Sequence, residues 1–213
     1  METLTKRIPR GKGWHNTGAA VASTSWDTSC EGQVRRFNDE TPGSGSLPAR
    51  PRSNRQTVCV LVRNVSGFTI LPKRMVAWAS GYKGTRVAGY TRLDREEAAG
   101  IVDEFFAPAG VPDGEMFWLV VKGPVLAKMP LSNLASDVAV GDWLYCITAA
   151  TTGATTAGRI TRHVGTWTAA ETTDGTAVKD AAFRRLIGQA LSAKLTSDTN
   201  ADILVDSDFN FKT

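Results

Sequence analysis

The sequence has few of the residues that build metal centres and disulfide frameworks. It contains two histidines and three cysteines among its 213 residues. His15 and His163 have no partners at the spacing of metal ligands. Cys30, Cys59 and Cys146 include no CxxC pair, so we expect thiols without a disulfide between them. We therefore expect no metal site and no cofactor.

Recognisable catalytic motifs are also missing. Ser66 and Ser192 lie outside any GxSxG turn, and the GKG at residues 11–13 is too short for a phosphate loop. Carboxylate pairs occur at residues 96–97 and 103–104, on either side of the segment AAGIV, and we interpret both pairs as solvent-exposed. We expect that the protein is not an enzyme.

Long apolar runs are a third absence. No segment approaches the roughly 18 to 20 apolar residues that cross a bilayer as a helix. The basic residues near the N-terminus are not followed by the apolar stretch of a secretory signal. We expect no membrane contact, and synthesis in the cytoplasm of a host cell.

The positive charge of the chain is concentrated in its first quarter. Nine basic and five acidic residues lie up to residue 55, and sixteen of each sign follow. Residues 41–55 are rich in Pro, Gly and Ser, a composition that is typical of a linker. We predict that residues 1–55 form an extended basic arm and that residues 56–213 form the body.

The arm also contains apolar side chains that a disordered tail would lack. We interpret it as a strap that docks on a neighbouring subunit or another protein through arginines and apolar anchors. The predicted contact residues are Arg7, Arg10, Trp14, Trp26, Val34, Arg35, Arg36 and Phe37. A mixture of cations and aromatic rings is also typical of single-strand nucleic-acid binding, which stays open as the alternative.

Short strand-like segments separated by turn residues fill the body, for example TVCVLVRNV, EMFWLVV and ADILVD. They predict an all-β barrel or sandwich with a few short helices, for which residues 93–100 and 177–186 are the candidates. Residues 116–121 are apolar at every position, so both faces of this strand need cover. We expect that cover within the barrel or at a subunit interface formed by Phe117 and Trp118.

Four segments of the body together resemble a known family. They are VRNVSGFTILPKRMVAW, AAGIVDEFFAPAGVPDGEMFWLVVKGPVLA, DVAVGDWLY and IGQALSA. In this order they resemble bacteriophage capsid decoration (cement) proteins, small β-rich head proteins encoded near major capsid proteins. The chain has Pro72, Lys73 and Arg74 where members of that family place a glycine turn.

The resemblance implies a structural virion protein on the capsid surface that has no catalytic activity. Its implied partners are the major capsid protein and further copies of this chain in a homotrimer. We expect no nucleic-acid partner under this interpretation.

Overall fold

The computed structural model describes residues 10–11, 13–14, 30–41, 48, 50–90, 98–129, 137–146, 159–162, 186–195, 197–198 and 202–209. These residues contain no helix, and the prediction of an all-β protein is confirmed. The strands are β1 (Gly13–Trp14), β2 (Val34–Thr41), β3 (Arg50–Asn64), β4 (Met75–Trp78), β5 (Arg86–Tyr90), β6 (Ala98–Val102), β7 (Met116–Lys128), β8 (Trp143–Cys146), β9 (Ile160–Arg162), β10 (Leu186–Ala190) and β11 (Asp202–Asp208).

Five of the strands close into a small barrel. β3 pairs with β5 in parallel and with β7 in antiparallel orientation. The ring is completed by the antiparallel pairs β5–β4, β4–β6 and β6–β7. A closed ring leaves none of its strands with a free edge, which permits long apolar strands in a small protein.

Strand β7 is shared between the barrel and a second part of the sheet. Its residues 116–122 pair with β3, and its residues 122–128 pair with β11. The sheet continues from β11 to β10, β8 and β9. All six apolar residues at 116–121 are at most 1% exposed, so both faces of this segment are covered, as its composition predicts.

Two helix predictions fall partly on strands. Residues 98–100 of the first candidate belong to β6, and Leu186 of the second belongs to β10; the remainder of both candidates lies outside the described residues. At Gly100 a Cβ atom would lie 2.4 Å from the Val120 carbonyl oxygen. This close approach between β6 and β7 requires extended backbone and a glycine, and the residue pattern did not indicate it.

The predicted boundary between arm and body falls inside a strand. β3 runs without interruption through residues 55 and 56, and β2 is its antiparallel neighbour. The described part of the arm therefore belongs to the same sheet as the body. Composition suggested a linker because residues 50–56 are exposed and polar, and an exposed strand and a linker have the same kinds of residues.

Lys73 occupies the position at which the family resemblance implies a glycine turn. Its φ of 63° lies in the left-handed region, which residues with a side chain rarely adopt. The Lys73 ammonium forms an ion pair with Asp202, and Lys128 bonds to the same carboxylate at 3.1 Å. The turn before β4 is thus tied to the start of β11.

Gly188 in β10 provides a test of the contact between β10 and β11. It has a φ of 147°, and a Cβ atom there would lie 1.9 Å from the Asp206 carbonyl oxygen. We predict that Gly188→Ala lowers the free energy of unfolding by about 3 kcal/mol or more, because the two backbones must separate. The measurement is urea unfolding followed by tryptophan fluorescence.

Gly141→Ala is the matched control. Gly141 has a φ of 90°, but no atom lies within 4 Å of the position that its Cβ would take. Its substitution should cost only about 1 kcal/mol of backbone strain. An equal loss of unfolding free energy in Gly188→Ala and Gly141→Ala would contradict the close approach at Gly188.

Candidate interaction surface

A two-stranded ribbon extends from the barrel. It consists of β2 and residues 50–60 of β3, of which residues 58–60 also pair with β7 in the barrel, and we call it the ribbon. Val34 to Asn38 of β2 pair with Val60 to Gln56 of β3, and after a bulge Glu40 and Thr41 pair with Pro51 and Arg50. All residues at 50–56 are exposed. Beyond the barrel, the ribbon is therefore a surface element rather than part of the core.

Arginines dominate the exposed surface of the ribbon. Arg35, Arg36 and Arg50 are exposed, and no described carboxylate forms an ion pair with them. Arg55 bonds to Asp206 at 2.6 Å, but both side chains remain about half exposed. Part of the charge surplus that composition places in the first quarter of the chain is thus presented on one surface element.

One aromatic residue connects the ribbon to the core. Phe37 packs edge-on against Trp118 with ring centroids 5.5 Å apart. The guanidinium of Arg35 lies over the Phe37 ring, 4.9 Å from its centroid. Phe37 is therefore held between a core ring and a surface cation, and its own face is not free to stack on a ligand.

A buried ionic cluster fixes the base of the ribbon. Arg10 forms an ion pair with Asp103, and its guanidinium lies 4.0 Å from Glu104. Arg52 bonds to Glu104 at 2.6 Å and to Asp39 at 2.5 Å. The three carboxylate side chains are at most 4% exposed, and Arg10 is 7% exposed. The cluster joins the N-terminal segment, both strands of the ribbon and the barrel.

The charges of this cluster do not balance. Among the residues that the structure describes, three carboxylates face two guanidiniums, so one negative charge is in excess there. Burial, with a smaller contribution from Glu104, raises the pKa of Asp103 to about 6 against the opposing effect of Arg10. Burial also raises the pKa of the neighbouring Cys59 thiol far above its usual range, which keeps this cysteine protonated and unreactive.

A second ionic group holds the start of β2. The two carboxylate oxygens of Glu31 bond to Arg63 of β3 at 2.5 Å and to Arg86 of β5 at 2.9 Å. Cys30 beside it is buried in the core. Cys30 and Cys59 are both free thiols, while the side chain of Cys146 lies outside the described residues.

The structure places the predicted contact residues in different environments. Val34, Arg35 and Arg36 are on the exposed ribbon, with Val34 63% exposed. Arg10 is in the buried cluster, and the backbone of Trp14 pairs with Met116. Arg7 and Trp26 lie outside the described residues. In its described residues the predicted strap is partly integrated into its own sheet, and its docking on another protein stays a prediction.

The predicted subunit interface at Phe117 and Trp118 is wrong. Phe117 is fully buried, and its ring meets Phe106 edge-on at 5.7 Å. Trp118 is 1% exposed and is covered by Phe37 of the same chain. The cover that this apolar strand needs comes from within the chain. The homotrimer stays a prediction without these contacts.

The interpretation of Asp103 and Glu104 as solvent-exposed is also wrong. Asp103 is fully buried, and the Glu104 side chain is 4% exposed. Their partners Arg10 and Arg52 are distant in sequence, and no local pattern indicates such a pairing. The one signal was the concentration of arginines in the first 55 residues, which we had assigned to another protein's surface.

Comparison with known proteins returned no relatives. No protein-family model matches the chain, and neither a curated protein nor a solved structure matches it. Within the described ranges, no group of three or more His, Cys, Asp and Glu residues could hold a metal ion. No helix in the part of the chain that the structure describes is long and apolar enough to cross a membrane.

Asp103 predicts an unusual pH dependence of stability. Its pKa of about 6 in the folded chain lies above its ordinary value of 3.8, so the folded state binds this proton more readily than the unfolded state. The resulting stabilisation is complete below about pH 4 and is lost as the pH rises through 6. We predict that, on acidification from pH 7 to 4, the free energy of unfolding of wild type rises by at most about 3 kcal/mol relative to that of Asp103→Asn.

Urea unfolding at intervals between about pH 2.5 and 7.5 measures this difference. Asp202→Asn is the control of opposite sign. Burial raises the pKa of Asp202, but hydrogen bonds from Lys73 and Lys128 outweigh burial and lower it. Its stabilisation is therefore present above about pH 4 and is lost in more acidic solution. If the free energy of unfolding changes with pH between 4 and 7 in the same way for wild type and Asp103→Asn, the excess charge in the cluster is contradicted.

Proposed function

We propose that the protein is a structural virion protein that decorates the outside of a bacteriophage head and stabilises the shell. The observation that supports this most directly is the ribbon, an anchored surface element with four exposed arginines, in a chain whose residues 56–213 carry equal numbers of basic and acidic side chains. An element of this kind suits attachment to an acidic protein surface. Its proposed partner is the major capsid protein.

The anchoring of the ribbon supports binding rather than flexible tethering. Ordering a loose strap of some 50 residues would cost about 50 kcal/mol or more of backbone entropy at the moment of docking. The ionic cluster and the Glu31 group hold the described part of this segment on its own chain, so its ordering belongs to folding and not to docking. A partner then meets a surface that is already ordered, so its affinity is not reduced by that cost.

The arginines also set the expected response to salt. Guanidinium groups bind carboxylates through paired hydrogen bonds, and exposed ion pairs of this kind weaken as salt screens them. Attachment should therefore depend on ionic strength to a moderate degree. Exposed apolar residues beside the arginines, such as Val34, would provide a contribution that salt does not screen.

Nucleic-acid binding is the second candidate, because the same four arginines could bind phosphates. The position of Phe37 argues against single-strand binding, since its ring is packed between Trp118 and Arg35 and is unavailable for base stacking. Fluorescence anisotropy with single- and double-stranded DNA decides between capsid decoration and nucleic-acid binding. Tight binding whose affinity falls by orders of magnitude over a few-fold rise in salt would favour nucleic acid.

Charge reversal on the ribbon tests the proposed function. We predict that Arg35→Glu combined with Arg50→Glu weakens co-sedimentation with empty heads of the encoding phage by about tenfold or more, because like charges then meet at the contact. Both side chains are exposed, so the fold should tolerate the change.

The control combines Lys83→Glu with Lys122→Glu, an equal change of net charge at exposed positions outside the ribbon. This variant should sediment with heads as wild type does. Equal weakening in both variants would indicate a general effect of net charge, and unchanged binding in both would count against the ribbon as the docking element.

A further inference from the structure

Strand β2 is an edge of the described sheet. In the order of strands it stands at one end, with β3 as its neighbour. The amide of Leu61 donates to the carbonyl of Gln33 immediately before β2. Because hydrogen-bonded and non-bonded pairs alternate in an antiparallel ladder, Val34, Arg36 and Asn38 direct their backbone groups away from β3.

Within the described residues, no other strand pairs with this edge. Val34, Arg35, Arg36 and Asn38 are exposed, whereas Phe37 is partly buried and Asp39 is buried. From residue 36 to residue 39 the face with Arg36 and Asn38 meets solvent, and the face with Phe37 and Asp39 packs on the chain. An exposed edge of this length is a template for one more strand.

The charges of β2 are arranged so that the strand complements itself. Two arginines occupy its first half, Arg35 and Arg36, and two carboxylates its second half, Asp39 and Glu40. An antiparallel copy related by a two-fold axis therefore brings opposite charges together. Directly opposed residues must share a face of the sheet, so they lie an even number of positions apart, and the opposite charges that can meet are Arg35 with Asp39 or Arg36 with Glu40.

The partners of the carboxylates select one of these registers. Asp39 already bonds to Arg52 and Ser53, so an arginine from another copy would gain little from it. Glu40 accepts a bond from the exposed amide of Asn38 at 3.2 Å. The favoured register opposes Arg36 to Glu40 of the second copy and places Asn38 on the two-fold axis.

We infer that β2 is a self-association surface, through which two copies of this chain pair edge to edge in antiparallel orientation with Arg36 opposite Glu40. The pairing adds about six backbone hydrogen bonds and two ion pairs. The buried area is small, so the dimer is weak, with a dissociation constant on the order of 10 µM. It makes one continuous sheet of two molecules and brings two ribbons together.

The inference does not depend on the proposed capsid function, because it concerns the purified chain alone. Sedimentation velocity and light scattering between about 1 and 200 µM measure the oligomeric state. Wild type should pass from monomer to dimer over this range. A chain that stays monomeric at the highest concentration, or that forms a trimer, overturns the inference.

A charge swap tests the register. Glu40→Arg alone opposes two arginines across the axis and should weaken the dimer by tenfold or more. Adding Arg36→Glu restores opposite charges in the same register and should restore the dimer. Failure of the double variant to recover, with circular dichroism unchanged from wild type, would overturn the Arg36–Glu40 register.

Proline provides an independent test of the edge itself. Arg36→Pro removes an amide that points away from β3, so the ladder between β2 and β3 remains while the added strand loses a donor. Phe37→Pro removes an amide that faces β3 and serves as the control for misfolding. The Arg36→Pro variant should be a folded monomer; a folded dimer would show that the copies associate through another surface.

Discussion

The burial of β7 is the constraint on which the rest of the structure depends. Six consecutive apolar residues cannot have a solvated face, so each face of the strand must be covered by other parts of the chain. Pairing with β3 and β6 closes the barrel around one part of β7, and β11 extends the sheet along the other. Burial of each large side chain contributes about 2 kcal/mol, which makes this strand the centre of stability.

The ionic cluster at the base of the ribbon serves geometry more than stability. Removing charges from water costs several kcal/mol per ion, and mutual attraction offsets that cost only where the partners are well placed. The excess carboxylate and the raised pKa of Asp103 show that the offset is incomplete here. The cluster nevertheless fixes the relative positions of three segments that are far apart in sequence, and it holds the exposed arginines of the ribbon in place.

The ribbon combines two properties that are usually separate in a β protein. Arginines on an edge strand commonly prevent uncontrolled pairing between molecules. In β2 they are matched by carboxylates further along the same strand, so the edge discriminates against most strands while it complements a copy of itself. A surface that carries both a net positive charge and a selective edge can serve attachment and self-association together.

The sequence by itself determined the all-β class. Its apolar runs have the length and the alternation of strands, and it has no long amphipathic segment of the kind that forms helices. It also located the apolar strand at residues 116–121 and the charge surplus of the first quarter. It did not reveal that residues 50–56 continue β3, that Asp103 is buried, or that Phe37 covers Trp118. Those features depend on contacts between residues far apart in the chain, such as Arg10 with Asp103, and a local pattern contains no information about which distant segment will supply a partner. Only the closing of the barrel decided them, because it brought Arg10 and β1 against β3, β7 and the residues that follow β6.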